Sequence, residues 1–242
     1  MIGGTGMDLE LNALDEVKQN ELEETGMSEA EALEPQMLHI PEFGEVLVGG
    51  NPFEMADILD DNQGDNILNA QGDCGVVSVV NIARLCGIDC SEDNAIVKAV
   101  NMRLCNFSTE IDPADNGGTN VLQRQALLSE YGISSSAFTA EAFGPEQIAK
   151  MVEAGYGVNL GVNAGYIWGD ADYINDGSSN HSIIVTGTAR DPGTYELVGL
   201  IVCDSGYPGK SNAVFIPTEV LNDAYTFAPG STALVTDRPM RV

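Results

Sequence analysis

Apolar and polar positions change their rhythm partway along the chain. From residue 74 to residue 86, Val76, Val77, Val79, Val80, Ile82, Ala83 and Leu85 fall on every side of a 3.6-residue helical wheel. A helix that is apolar all round is a buried one, and Gly87 is placed to close it. Ser91, ahead of Glu92 and Asp93, is an N-cap that predicts a second helix running to Cys105. Thr119 is placed to cap a third, ending at Tyr131 before Gly132, and Pro145 opens a fourth that Gly155 stops. Beyond residue 155 the period shortens. The runs 158–162, 181–188, 195–203 and 213–216 are rich in β-branched residues and separated by Gly, Asp and Pro, the texture of antiparallel strands. Asp191-Pro192-Gly193-Thr194 is a turn, so the second and third of these runs are expected as hairpin neighbours. A short helix over 218–225 and a strand over 232–236 close the pattern. The fold class expected is α+β, with a helical half packed on an antiparallel sheet around the helix that begins at Cys74.

The first third of the chain reads differently. Over residues 8–34 acidic side chains alternate with Leu9, Leu11, Leu14, Val17 and Leu22, a spacing compatible with a marginal amphipathic helix that Pro35 ends. Such a segment is either an acidic tail or a leader-like pro-segment that docks on the rest. An extended stretch over 40–48 leads into Gly49-Gly50-Asn51-Pro52, read as a turn. The organisation expected is an N-terminal extension, 1–50, and a main domain, 51–242. Residues 60–73 are rich in Asn, Asp and Gly and form a loop that delivers the chain into Cys74.

Composition narrows the partners. In 242 residues, 37 acidic against 10 basic side chains leave a net charge of −27, a field that repels nucleic-acid backbones and anionic membrane surfaces. No run approaches the roughly 20 apolar residues of a membrane-spanning helix, so no membrane insertion is expected. Oligomeric state is not legible. The five cysteines, Cys74, Cys86, Cys90, Cys105 and Cys203, are an odd set with no CxxC pair, and there are two histidines. No metal site is expected, and Cys86, Cys90 and Cys105 read as buried structural thiols.

Cys74 is the exception, because it sits after an accessible polar loop at the start of a helix. The free N–H groups of a first helical turn and a nearby imidazolium both lower a thiol's pKa. Of the two histidines, His39 lies in the Pro-flanked N-terminal region. His181, opening a strand after a polar loop, is therefore the candidate base. Asp204 ends the run Leu200-Ile201-Val202-Cys203 at the same end of the sheet, where a carboxylate would fix the imidazole's tautomer. An oxyanion needs donors, and the Cys74 backbone N–H with an amide from the preceding loop, Gln71 or Asn69, would supply them.

The segments Asn69-Ala70-Gln71-Gly72-Asp73-Cys74-Gly75-Val76-Val77-Ser78, Asn180-His181-Ser182 and Val202-Cys203-Asp204-Ser205-Gly206 resemble papain-like cysteine peptidases. The likeness is greatest to the bacterial enzymes that remove double-glycine leader peptides, and to related domains of bacterial secreted toxins. The resemblance implies a papain-like fold, a Cys74-His181-Asp204 triad, a peptide or protein substrate, and amide hydrolysis through a thioester acyl-enzyme without metal or organic cofactor. It implies a bacterial protein, cytoplasmic or delivered by a larger system. The pattern departs at one position: the family's oxyanion glutamine stands six residues before the cysteine, where this chain has Leu68. The resemblance also suggests cleavage at Gly-Gly, and Gly49-Gly50 makes the chain's own N-terminal segment a conceivable substrate. The same thiol and base would equally serve a glutamine deamidase or acyl-transferase, and a catalytically silent binding domain would keep the same fold.

Overall fold

In the computed structural model the described residues are 35–59, 62–206 and 212–240. They belong to a compact unit, Leu33–Val242. The helix expected over 8–34 lies outside the described residues.

The order of elements is β1 (Gln36–Ile40), β2 (Gly44–Gly50), α1 (Pro52–Ile58), α2 (Cys74–Leu85), α3 (Glu92–Asn101), α4 (Val121–Glu130), β3 (Ser135–Thr139), α5 (Pro145–Glu153), β4 (Tyr156–Val162), α6 (Ala164–Trp168), β5 (His181–Arg190), β6 (Leu197–Cys203), β7 (Val214–Pro217), α7 (Thr218–Leu221), which runs on into a π-helical turn, Asn222–Thr226, and β8 (Thr232–Pro239). The strands form one antiparallel sheet. Strand β5 is its spine: its first half pairs with β4, its second half with β2, and its other edge with β6. The expected α+β class is therefore what the chain forms.

Helices cover both faces of this sheet. On one face α2 buries Val76, Val79, Val80, Ile82, Ala83 and Leu85 against α3, α4 and the sheet residues Ile184, Cys203 and Leu234. On the other, Ile148 and Val152 of α5 with Leu221 and Tyr225 pack on Val158, Leu160, Val162, Ile183 and Val185. Neighbouring strand residues point to opposite faces and both faces are covered, so β5 is buried at every position, including its polar residues His181, Ser182, Thr186, Thr188 and Arg190. Cys90 and Cys105 lie in the first core and Cys86 packs against it, as expected of structural thiols.

The local differences from the sequence reading have definable causes. The expected turn at Gly49-Gly50 is the end of β2, where Gly49 and Gly50 pair with Thr188 and Gly187. A Cβ on Gly49 would stand 2.7 Å from Thr188 Oγ1, and Gly50 has φ +77°, so these glycines serve close strand packing rather than a reversal. Strands β1 and β2 therefore belong to the sheet, and the boundary expected after residue 50 falls inside the compact unit. Cleavage after Gly50 would strip two strands from the sheet, which argues against it as a self-processing site. The third helix is capped by Asn120 rather than Thr119, with a reciprocal capping box to Gln123. Helix α3 stops at Asn101, short of Cys105. Strand β3, Ser-Ser-Ala-Phe-Thr, carries no apolar alternation and is held by its pairing with β8.

Candidate active site

Three residues distant in sequence meet at one end of the sheet. Cys74 is the first residue of α2, half-buried at the helix N-terminus. His181 is the first residue of β5, and Asp204 is the residue after β6. The β5–β6 hairpin, paired through Ile184 with Cys203, brings the last two side by side. The turn is fixed by Asp191 Oδ1, which accepts from the Gly193 and Thr194 backbone N–H groups at 2.8 and 2.7 Å.

His181 Nε2 lies 2.6 Å from Asp204 Oδ1, and the Cys74 thiol is near enough to act on the ring. The imidazole thus interacts with both thiol and carboxylate. Burial disfavours its charged form, but the charges of Asp204 and Cys74, with the hydrogen bond to Asp204, outweigh burial and raise its pKa to about 10. Burial likewise opposes ionisation of Cys74, yet the charge of His181, the charge of Arg124 and the Ser182 backbone N–H bring it below an ordinary thiol. Both shifts favour a thiolate–imidazolium pair.

Asp204 is itself held in place. Trp168 Nε1 donates to its Oδ2 at 2.8 Å and the Gly206 N–H donates to Oδ1 at 2.9 Å. The Trp168 ring lies 5.2 Å from the His181 ring and shields the ion pair. A Cβ at Gly206 would stand 3.0 Å from both His181 Cε1 and Trp168 Cζ2 and 2.9 Å from Gln63 Oε1, so this position admits only glycine without displacing the imidazole. One layer below, Ser78 of α2 and Ser182 of β5 share a hydrogen bond of 3.0 Å, and Asn159 Nδ2 of β4 donates to Ser182 Oγ at 2.7 Å. Ser78 is one turn after Cys74 and Ser182 follows His181, so this buried bridge fixes the spacing of thiol and ring.

The oxyanion candidates are less closely tied to the thiol. Gln71 and Asn69 have exposed side chains that face each other, Gln71 Nε2 to Asn69 Oδ1 at 3.5 Å, and Asn69 has φ +52°. The backbone of Gln71 is fixed by Pro113 and by Gln63 Nε2, which donates to the Gln71 carbonyl at 3.0 Å. Leu68, at the position of the family's glutamine, packs against the first core.

Trp168, Arg124, Gln63 and the pair Asp73 and Glu92 had no signal in the sequence beyond residue type, although Trp168 is the chain's one tryptophan. Asp73 does not cap α2. Its carboxylate turns back to accept from Gly64 N at 2.9 Å and Asn66 Nδ2 at 3.1 Å, and Asn66 Nδ2 also reaches Glu92 Oε1 at 3.0 Å. Both carboxyls are buried. Burial is the main cause that raises Asp73 to about 6 and Glu92 to about 8, with the mutual hydrogen bond and repulsion adding to the Glu92 shift. The folded pair therefore holds a proton that the unfolded carboxyls give up near pH 4–5. Stability from this pair is full below that range and is lost as pH rises through about 8. Thermal melts should show Glu92→Gln flattening the fall in stability between pH 5 and 9 by on the order of 2 kcal/mol; a slope equal to that of wild type would contradict this assignment.

No family model matches the chain. A crystal structure of a candidate C39-like peptidase from Bacillus anthracis superposes with a TM-score of 0.53 at 15% identity, over 80% of this chain and 99% of that one. A double glycine motif protease from an AMS/PCAT transporter, in complex with the leader peptide, reaches a TM-score of 0.42 at 15% identity over 68% of this chain and 84% of that one. The first of these shows a shared fold: this chain folds as that C39-like peptidase does, with helices on an antiparallel sheet. Among curated proteins, uncharacterised proteins of Mycobacterium bovis and Mycobacterium tuberculosis are 27% identical over 136 residues, 51% of this chain. The match spans 56% of the length of those relatives.

Proposed function

We propose that this chain is a cysteine peptidase in which Cys74 is the nucleophile, His181 the general base and acid, and Asp204 the group that orients and charges the imidazole. The observation that carries the reading is the buried His181 ring, held by Asp204 at 2.6 Å and near enough to Cys74 for each to shift the other's pKa. The thiolate attacks the scissile carbonyl of a peptide or protein substrate, and the imidazolium gives its proton to the leaving amine. His181 then activates water to hydrolyse the thioester. The N–H groups at the start of α2 face the developing oxyanion, with Gln71 or Asn69 as the side-chain donor after a small movement of the loop. None of these steps requires a metal or organic cofactor.

Gly-Gly in an extended peptide is the cleavage site that the sequence resemblance suggests; Gly72, Gly75 and Gly161 pack against this chain's own residues and do not themselves line a cleft. The test is direct. Wild type and Cys74→Ala are incubated with a peptide library containing Gly-Gly members, and new termini are read by mass spectrometry. Cleavage by wild type alone, enriched after Gly-Gly, supports both activity and specificity. Ammonia release from glutamine without new termini would replace hydrolysis by deamidation. A Cys74 that iodoacetamide alkylates no faster than a free thiol at neutral pH would overturn the enzymatic reading.

A further inference from the structure

Arg124 of α4 is buried, with 5% of its surface exposed, in a chain of 37 acidic and 10 basic residues. Even so, no carboxylate pairs with it among the described residues. Its Nη1 donates to the Thr119 carbonyl at 3.2 Å and its Nη2 to Thr232 Oγ1 at 3.4 Å, while its Nε is buried without a partner. The side chain lies against the first turn of the nucleophile helix: a Cβ placed on Gly75, the residue after Cys74, would stand 3.0 Å from Arg124 Cδ. Its far end reaches the sheet, where a Cβ on Gly161 would stand 3.5 Å from Nη2. Gly161 is the register partner of Ser182, next to His181. An unpaired guanidinium sealed from water is costly unless an opposite charge accompanies it.

We propose that Arg124 is the second cation of the site, a positioning residue whose counter-charge is the Cys74 thiolate. His181 and Arg124 then flank the sulfur from the sheet side and the helical side, and the positive end of the α2 dipole adds to both. The charge of Cys74 is also the one that opposes the effect of burial on the Arg124 guanidinium. Unlike the imidazolium, the guanidinium never gives up its proton. It therefore supports the sulfur anion before attack and again when the thiolate is expelled from the thioester, whatever proton His181 carries. This inference rests on the proposed function and assigns Arg124 no contact with substrate.

The experiment follows the pH dependence of Cys74 alkylation by iodoacetamide, mapped by mass spectrometry, in wild type, Arg124→Met, Arg124→Lys and His181→Ala. Arg124→Met should raise the apparent pKa of Cys74 by about one unit, a tenfold loss of thiolate. Arg124→Lys, which keeps the charge and loses the fork of donors, should recover most of that shift even where it melts earlier. A folded Arg124→Met with the wild-type profile, or a lysine variant indistinguishable from it, refutes the role of Arg124 and leaves the Cys74–His181 reading standing. A wild-type Cys74 that titrates as an ordinary thiol refutes that reading instead. Should Arg124→Met fail to fold, a test without substitution at Arg124 remains: on the His181→Ala background, carboxymethylated Cys74 should give a higher Tm than carboxamidomethylated Cys74, because only the former leaves the guanidinium an anionic neighbour. Equal melting temperatures overturn the proposal.

Discussion

Replacing His181 with alanine should lower kcat/KM for peptide cleavage by about 10³-fold or more, with the loss falling on kcat. The side chain is buried among Cys74, Asp204 and Trp168, so its removal takes away the proton acceptor and leaves the Asp204 carboxylate without its cationic partner. Two readouts accompany the rate. Thiolate reactivity of Cys74 should move toward that of an ordinary thiol, because His181 is the strongest of the groups that lower its pKa. In wild type the rate should rise with pH as Cys74 ionises and fall again as His181 loses its proton near pH 10, whereas the alanine variant should lack the alkaline limb. The sign follows from the pair: the active form carries a thiolate and an imidazolium together. An alanine variant that cleaves at the wild-type rate would remove His181 from the mechanism.

Gly75→Ala should be among the most damaging single-methyl changes in the molecule. A Cβ there would stand 2.0 Å from Thr119 Oγ1 and 3.0 Å from Arg124 Cδ, and both neighbours are confined. Overpacking of a close-packed interior costs about 1–3 kcal/mol. The displacement is also passed to Cys74 one residue away, so activity should fall further than stability does. Thr119 Oγ1 is buried without a hydrogen-bond partner, so Thr119→Ala alone should be nearly neutral. The double variant Gly75→Ala/Thr119→Ala should regain part of the lost stability, since the nearest clash is gone and only Arg124 Cδ remains. Denaturant unfolding measures both effects, and a double variant no more stable than Gly75→Ala would show that the damage lies elsewhere.

Both predictions concern the junction of the two halves of the molecule, and the sequence foreshadowed that junction unevenly. Local pattern by itself determined the buried helix from Cys74, the hairpin from His181 to Cys203 and the α+β class, because each follows from periodicity along an element and the turn residues between neighbouring elements. Residue type supplied Cys74, His181 and Asp204, since two histidines leave few choices of base. Glycine signals were right where Gly87, Gly132 and Gly155 follow helix ends, but one misled: Gly49 and Gly50 read as a turn, yet they are strand glycines that let β2 lie close on β5. The sequence was silent on Trp168 holding Asp204, on the Ser78–Ser182–Asn159 bridge, on Asp73 turning away from its helix to meet Asn66 beside Glu92, and on Arg124 beside Gly75. All but the Asp73–Asn66 contact, seven residues apart, are made between residues separated by tens of positions. Periodicity records which face of an element is buried; it does not record what that face is buried against. The chain alone therefore determined which groups could do chemistry. Only the tertiary packing decided their charges, by choosing which cation, carboxylate and amide each was sealed against, out of water.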